Sequence, residues 1–221
     1  HLHFCLSLIK TKPPYYNRVE IHMKAIILGI FTFVASFLPL AVVYGQAQNN
    51  NWYFGTAGID FNGPSPVAIT TSAMSTYEGC STVSDKFGNL LFYTDGVSVF
   101  NRENDVMPSG TGLFGDYSSS NSAVIVPKPG DPNKYYIFTT ECYYPLTGLH
   151  YTLVDMCLDG GLGDVVAGEK NVFLTGQTPE KVNTALHTNG KDIWVLTHGW
   201  NNNEFRVFLV TAAGVDPTPV I

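Results

Sequence analysis

Charged residues are scarce in this chain, and cations are the scarcer of the two signs. Lys and Arg number 12 and Asp and Glu 18 among 221 residues. Residues 1–45 hold four of these cations and one of the anions, which leaves 8 cations against 17 anions in the remainder. A surface with this acidic balance repels phosphate groups, so nucleic acids and anionic membrane surfaces are excluded from the expected partners.

Cysteine and histidine, the residues that most often bind transition metals, are also rare. Outside the first residues of the chain they are Cys80, Cys142, Cys157 and three histidines. The cysteine intervals fit no zinc pattern and no two histidines lie at metal-ligand spacing, so no metal site is predicted. A disulfide between Cys142 and Cys157 stays open, but buried free thiols are the favoured interpretation. We expect His150 and His187 to be structural residues within strands.

One long uncharged run lies near the start of the chain. Lys24 follows Met23 and precedes the apolar residues 25–43, and small residues come next. This order is typical of a secretory signal peptide, with cleavage expected after Gly45 or Ala47. A transmembrane anchor is the alternative, because the run is long enough to cross a bilayer, but the small residues at its end favour cleavage.

The chain therefore divides into three parts. We interpret residues 1–22 as an upstream, non-native extension, residues 23–47 as a signal-peptide helix, and residues 48–221 as the part that folds. This division predicts a secreted or surface protein that reaches at least the periplasm. No stable membrane span is expected to remain after cleavage.

The part that folds is rich in residues that favour strands and turns, and it contains a repeat. Three segments, near residues 78–115, 121–175 and 182–221, share a short apolar strand, a polar turn, a strongly apolar strand and a further strand. Recurrence of an antiparallel unit of this length is typical of propeller blades. We predict an all-β fold, a partial β-propeller with about three antiparallel blades.

The second strand of each unit is apolar on both of its faces. Because side chains alternate along a strand, the residues form two rows. One row holds Leu90, Phe92, Tyr135, Ile137, Ile193 and Val195, and the other holds Leu91, Tyr93, Tyr136, Phe138, Trp194 and Leu196. A strand covered on both sides lies between layers, which in an antiparallel repeat is the inner part of a blade.

Three blades do not close a ring, because propellers have about four blades or more. We therefore interpret the chain as the N-terminal fragment of a longer protein, whose missing C-terminal blades would cover two open apolar faces. The segment from Trp52 to Phe61 is then a candidate strand for completing the last blade.

Several strings in the folded part resemble a known group of proteins. They are Asn51-Trp-Tyr-Phe-Gly, Gly88-Asn-Leu-Leu-Phe-Tyr-Thr-Asp-Gly, Val126-Pro-Lys-Pro-Gly and Val154-Asp-Met-Cys-Leu-Asp-Gly-Gly-Leu-Gly-Asp. From about residue 50 to residue 221 the chain is similar to the N-terminal propeller region of large Bacteroidota surface proteins. Such proteins often carry PKD repeats and a gliding-motility-associated C-terminal domain that acts as a type IX (type B) sorting signal. The resemblance implies a YVTN- or WD40-like propeller at the outer cell surface, with a role in adhesion or gliding.

Two motifs suggest chemistry that their context does not support. Gly110–Gly115 matches the dinucleotide fingerprint, but no strand-to-helix turn is expected around it, so we predict a loop and no cofactor. Asp155, Asp159 and Asp164 lie in a Gly-rich stretch whose intervals depart from the EF-hand pattern. A hairpin turn is therefore favoured over a calcium site.

Candidate ligand-contact residues lie where loops follow the apolar strands. Asp95 follows the first of these strands and either faces a central channel or caps a turn. His198 and Trp200 follow the third strand, and Tyr143 and Tyr144 lie in a loop inserted after the second. Packing beneath the inserted loop is an equal alternative for the aromatic residues.

These features favour a non-catalytic, exported scaffold that contacts a protein or a glycan at the cell surface. The alternative is a glycan-active enzyme, a hydrolase or a lyase, with paired acids in the propeller channel. A structural spacer with no specific ligand is a third hypothesis. Two carboxylates that face each other across the channel would favour the enzyme.

We expect the chain to be exported and cleaved when a Gram-negative host produces it, because one cation, an apolar run and small residues follow in order. N-terminal sequencing of the exported protein should begin at Gln46 or Gln48. A Lys24→Glu variant is the control and should be exported less. A membrane-bound product that keeps residues 23–45 would establish the anchor instead.

Overall fold

The computed structural model describes residues 47–121, 123–142 and 147–221. Over these residues the protein is all-β, with sixteen strands in four antiparallel sheets and two short 3-10 turns. The same residues include no helix that is long and apolar enough to cross a membrane. The predicted signal-peptide helix and the extension before it lie outside the described residues, apart from Ala47.

The first two sheets follow each other along the chain, and each is a simple meander. The first contains β1 (Asn51–Phe54), β2 (Ala57–Asp60) and β3 (Val67–Ile69). The second contains β4 (Ser81–Ser84), β5 (Leu90–Thr94), β6 (Ser98–Asn101) and β7 (Val106–Thr111). A 3-10 turn, Ala47–Asn49, precedes β1.

The third and fourth sheets repeat this plan. The third contains β8 (Val124–Pro127), β9 (Lys134–Thr139), β10 (Leu149–Asp155), β11 (Asp164–Val165) and β12 (Val172–Thr175). Its fourth position is shared, because β11 and β12 both pair with β10. The fourth sheet contains β13 (Asn183–Leu186), β14 (Ile193–His198), β15 (Phe205–Thr211) and β16 (Gly214–Val215).

Each of the three predicted repeat units contains the strands of one sheet. The second strand of each unit is β5, β9 or β14, and it lies between two partners in its sheet. The equivalent residues Thr94, Thr139 and Thr197 are buried near the ends of these strands. The Thr94 hydroxyl donates to the carbonyl of Ser98 at the start of β6, and the Thr197 hydroxyl donates to the carbonyl of Lys181 in the loop before β13.

The segment from Trp52 to Phe61 differs from the expectation of a single strand. It forms a hairpin of β1 and β2, which β3 extends into a sheet of three strands. The chain reverses after Phe54 at Gly55, whose φ of 55° lies in the left-handed region that glycine tolerates. The aromatic residues before this turn therefore belong to the first sheet described here.

Apolar side chains fill the spaces between consecutive sheets. Tyr53 of the first sheet stacks on Tyr93 of the second, with ring centroids 4.4 Å apart. Phe92, on the opposite face of the second sheet, packs in one cluster with Ile137 of the third. On the other face of the third sheet, Phe138 belongs to a cluster that includes Val195, Phe208 and Val210 of the fourth. The prediction that β5 and β9 are covered on both faces is therefore confirmed.

The fourth sheet is covered on one face only within the described residues. Val195 is fully buried against the third sheet, whereas Leu196, which points the opposite way, is 36% exposed. Phe205 lies on the same face as Leu196 and is 59% exposed. Trp52 and Phe54 likewise expose 55% and 44% of their surface on the outer side of β1. Both outward faces therefore carry exposed apolar side chains.

Substitution of Gly88 by alanine should destabilise the protein more than the same change at Gly190. Both glycines lie in the turn between the first and second strands of their sheets, with φ of 90° and 70°. A side chain at Gly190 meets nothing within 4 Å, whereas one at Gly88 would overlap Asn62. The Asn62 amide donates to the Gly88 carbonyl at 2.9 Å and to Asp60 at 2.8 Å.

We therefore expect Gly190→Ala to cost about 1–2 kcal/mol from backbone strain alone. Gly88→Ala should cost about 1–3 kcal/mol more, because the bonds of Asn62 are also disturbed. Urea denaturation followed by fluorescence measures both. Equal losses for the two variants would contradict the packing described around Gly88.

Candidate functional site

Loops from consecutive sheets meet along one edge, which we call the linker rim. It is formed by residues 95–97, 112–121, 140–142, 176–182 and 199–204. Hydrogen bonds join the loops in series: Leu113 N–H to the Val97 carbonyl at 3.0 Å, Asn121 Nδ2 to the Val182 carbonyl at 2.7 Å, and Trp200 N–H to the Gln177 carbonyl at 2.7 Å. The rim is therefore a connected surface on a rigid base.

Asp95 lies on the rim but is only 2% exposed. Its Oδ1 accepts the backbone N–H groups of Val97 at 2.9 Å and Ser98 at 2.7 Å. Burial raises the pKa of the Asp95 carboxyl, although these two hydrogen bonds act against the rise. The turn-capping arrangement is the one observed, and the carboxylate faces its own turn.

His198 and Trp200 lie together at the end of β14. His198 Nδ1 is 2.9 Å from the Gly199 carbonyl oxygen, and its ring meets Phe205 edge-on with centroids 5.9 Å apart. Trp200 is 48% exposed. The turn that carries it is closed by a hydrogen bond from the Gly199 N–H to the Glu204 carbonyl at 2.9 Å. A closed turn presents the indole in a defined position.

Tyr143 and Tyr144 lie outside the described residues, but the residues just before them do not. Glu141 Oε2 accepts the N–H of Thr147 at 2.8 Å, which links the two sides of the inserted loop. Burial and a hydrogen bond to Asp116 raise the pKa of the Cys142 thiol to about 12. The thiol therefore stays protonated at neutral pH and is a poor nucleophile.

The described cysteines are all free. Cys142 follows β9 and Cys157 follows β10, and because these strands are antiparallel neighbours, the two thiols lie at opposite ends of the sheet. Cys80 and Cys142 are half-buried and Cys157 is exposed, so the thiols are free as expected but the expectation that they are buried is wrong. It lies in the connection between β10 and β11, where its N–H donates to Asp155 Oδ1 at 2.9 Å.

The Gly110–Gly115 motif and the acidic stretch have structural roles. Gly110 and Thr111 lie in β7, so the prediction of a loop is wrong for these two residues, and the residues that follow Gly115 up to Asn121 form no helix. Asp164 accepts the N–H of Ser109 at 2.8 Å and so joins the second and third sheets. Asp155 accepts the N–H of Cys157. No group of three possible metal ligands occurs in residues 47–121, 123–142 and 147–221.

Of the two histidines predicted to lie in strands, His150 does so and His187 does not. His150 lies in β10, is 4% exposed and packs edge-on against Phe114 and Phe173. Burial lowers the pKa of His150, which favours the neutral ring. His187 lies one residue beyond β13, so the expectation of a strand is wrong here. Its N–H binds the Asp192 carbonyl and begins the turn to β14.

A second candidate site, which the sequence did not reveal, is a cleft of about 530 Å³ between the 3-10 turn, β1 and β4. Its lining includes Asn49, Trp52, Phe54 and Ser81. The sequence indicates this cleft only weakly. Trp52, Tyr53 and Phe54 are consecutive aromatic residues, so both faces of β1 are aromatic. Alternation alone does not indicate which of them turns outward.

No protein-family model, no curated protein and no solved structure matches this chain. Its function is therefore inferred from its own residues.

Two substitutions of Asp95 should distinguish the contribution of its hydrogen bonds to the free energy of unfolding from that of its buried charge. Asp95→Ala removes the acceptor of two backbone N–H groups and should cost about 1–3 kcal/mol. Asp95→Asn keeps an acceptor oxygen without the buried charge, so at pH 7 it should be at least as stable as the wild type.

The pH dependence follows from the raised pKa of Asp95. The folded state keeps this proton to a higher pH than the unfolded state, so the wild type loses stability as pH rises through that window. The advantage of Asp95→Asn should be larger at pH 7 than at pH 4 in thermal denaturation. An advantage that grows toward pH 4 would contradict the burial of this carboxylate.

Proposed function

We propose that the four sheets are arranged as blades of a β-propeller. The observation that carries this proposal is the contact between first strands: β1 lies beside β4, β4 beside β8, and β8 beside β13. Sheets that pack face to face while their first strands meet are expected to fan out around a common axis. Burial of β5 and β9 on both faces supports the same arrangement.

We propose further that the protein is a non-catalytic scaffold exported to the cell surface, where the linker rim contacts a protein or a glycan. The rim has an acidic character from Asp116, Glu141 and Glu180, and Trp200 is exposed among its loops. Exposed aromatic residues on rigid loops are the usual anchors of a contact surface. The resemblance to Bacteroidota surface proteins supports export and a role in adhesion or gliding.

The glycan-active enzyme receives less support from the rim. Such an enzyme uses two carboxyl groups that reach the scissile bond from opposite sides. Asp95 was the candidate acid for the channel, with a turn cap as its alternative role, and its Oδ1 accepts hydrogen bonds from its own turn. The proposed contact surface therefore rests on Trp200 and His198, and Asp95 contributes by holding the rim.

Retention of protein-coated beads tests the rim as a contact surface. Beads that carry the purified chain should be retained on a subset of spots in an array of extracellular-matrix proteins and glycans. Trp200→Ala and His198→Ala should reduce retention about tenfold on the same spots, as expected for the loss of an anchor. Leu158→Ala is the matched control, because Leu158 is 40% exposed and lies at the opposite end of the sheets.

Equal loss in the control would contradict the assignment to the rim, and absence of retention on every spot would favour the structural spacer.

A further inference from the structure

We propose that the cleft between the 3-10 turn, β1 and β4 binds a neutral carbohydrate, with a sugar ring stacked on Trp52. This site is separate from the linker rim and does not depend on a contact made there. β1 and β4 are edge strands, each paired with one partner in its sheet, and the cleft opens where these two edges meet. Its volume of about 530 Å³ lies within the usual range for small-molecule sites.

The lining of the cleft is aromatic and polar, and it carries no charge. Trp52, Phe54, Asn49, Cys80, Ser81 and Thr82 contribute to it, and none of the eight lining residues is Asp, Glu, Lys, Arg or His. A neutral lining gives no counter-charge to a phosphate, a carboxylate or an ammonium group. The acidic balance of the chain further disfavours anions, so the ligand is expected to be uncharged.

The indole of Trp52 is held in a defined position and still presents a face to solvent. Its Nε1 donates to the Asn49 carbonyl at 2.8 Å, which ties the ring to the 3-10 turn at the edge of the cleft. Phe61 supports the ring edge-on, with centroids 5.2 Å apart. The residue nevertheless remains 55% exposed. A large rigid ring of this kind offers apolar contact at low entropic cost.

Some polar groups beside the Trp52 ring are hydrogen-bonded within the protein, and others are available to a ligand. The Thr82 hydroxyl accepts the Tyr53 N–H at 3.0 Å, and the Cys80 thiol donates to the Tyr53 carbonyl at 3.3 Å. Within the described residues, the hydroxyl of Ser81 and the side-chain amide of Asn49 have no hydrogen-bond partner. Both groups can donate and accept, so they complement a ligand that carries hydroxyl groups.

A carbohydrate combines the two properties that this lining requires. The C–H face of a pyranose ring is apolar and matches an indole face, while its hydroxyl groups match an amide and a serine. A purely apolar ligand would leave the Ser81 hydroxyl and the Asn49 amide desolvated without partners, which is unfavourable. The observations therefore favour a neutral sugar over a lipid or an apolar peptide segment.

Isothermal titration calorimetry of the purified full chain tests this site. The probes are cellohexaose, laminarihexaose, mannohexaose and N-acetylchitohexaose, with an oligogalacturonate of the same length as the anionic comparison. At least one neutral probe should bind with a Kd below about 1 mM. Trp52→Ala should weaken that binding at least about tenfold, and Trp52→Phe should restore most of it.

Phe173→Ala is the matched control, because it removes an aromatic residue of similar exposure, 58% against 55%, from β12, outside both the cleft and the linker rim. It should leave the titration unchanged. Trp200→Ala is measured in parallel to distinguish binding at the rim from binding in the cleft. Ser81→Ala removes one hydroxyl without disturbing the aromatic packing and should weaken binding about three- to tenfold, so the proposal stays testable if Trp52→Ala fails to fold.

Absence of heat with every neutral probe would overturn the proposal, and so would binding that neither Trp52→Ala nor Ser81→Ala weakens. Equal binding of the oligogalacturonate would overturn the assignment to neutral sugars. Loss of binding in Trp200→Ala alone would move the site to the rim and reject the cleft. Because the bead experiment depends on Trp200 and this titration on Trp52, failure of one proposal is distinguishable from failure of the other.

Discussion

A strand that is apolar on both faces has to lie between two other layers, and this constraint organises the structure. Phe92 and Tyr93 are neighbours in β5, yet they pack against different sheets. Ile137 and Phe138 do the same in β9. Burial of each such side chain contributes about 1.5–3 kcal/mol, so a single sheet would leave half of this contribution exposed to water. Stacking of consecutive sheets follows from that requirement.

Apolar packing alone does not fix the orientation of one sheet relative to the next. Hydrogen bonds between neighbouring sheets fix this orientation. Ser109 binds Asp164 through both its N–H and its hydroxyl, which joins the second sheet to the third. Arg206 donates to Thr175 and to the Gly176 carbonyl, which joins the fourth sheet to the third. Hydrogen bonds are directional, whereas apolar contacts are not. The hydrogen bonds between sheets therefore set the angle at which the rim loops meet.

The repeat allowed most of the fold to be predicted, because Thr94, Thr139 and Thr197 mark equivalent positions and the strands around them alternate regularly. The roles of individual side chains, which the repeat does not specify, were harder to predict from the sequence. The role of Trp52 depends on a hydrogen bond to the 3-10 turn, which no local pattern indicates. The sequence predicts that Asp95 follows β5 in a loop, but it does not distinguish a side chain that faces a channel from one that caps its own turn, because this depends on the fold of that turn. Cys157 lies in the connection between β10 and β11 and is exposed, which the composition of the chain does not indicate.

The apolar clusters join each sheet to the one before it and the one after it in the chain. The free energy of unfolding of such an array is close to the sum of the stabilities of its sheets and of the interfaces between neighbouring sheets. The second and third sheets, each of which has a neighbouring sheet on either side, should then hold the slowest-exchanging amides. The outermost β-meanders would fray first, so the protein would lose order from its two ends while its middle stays native.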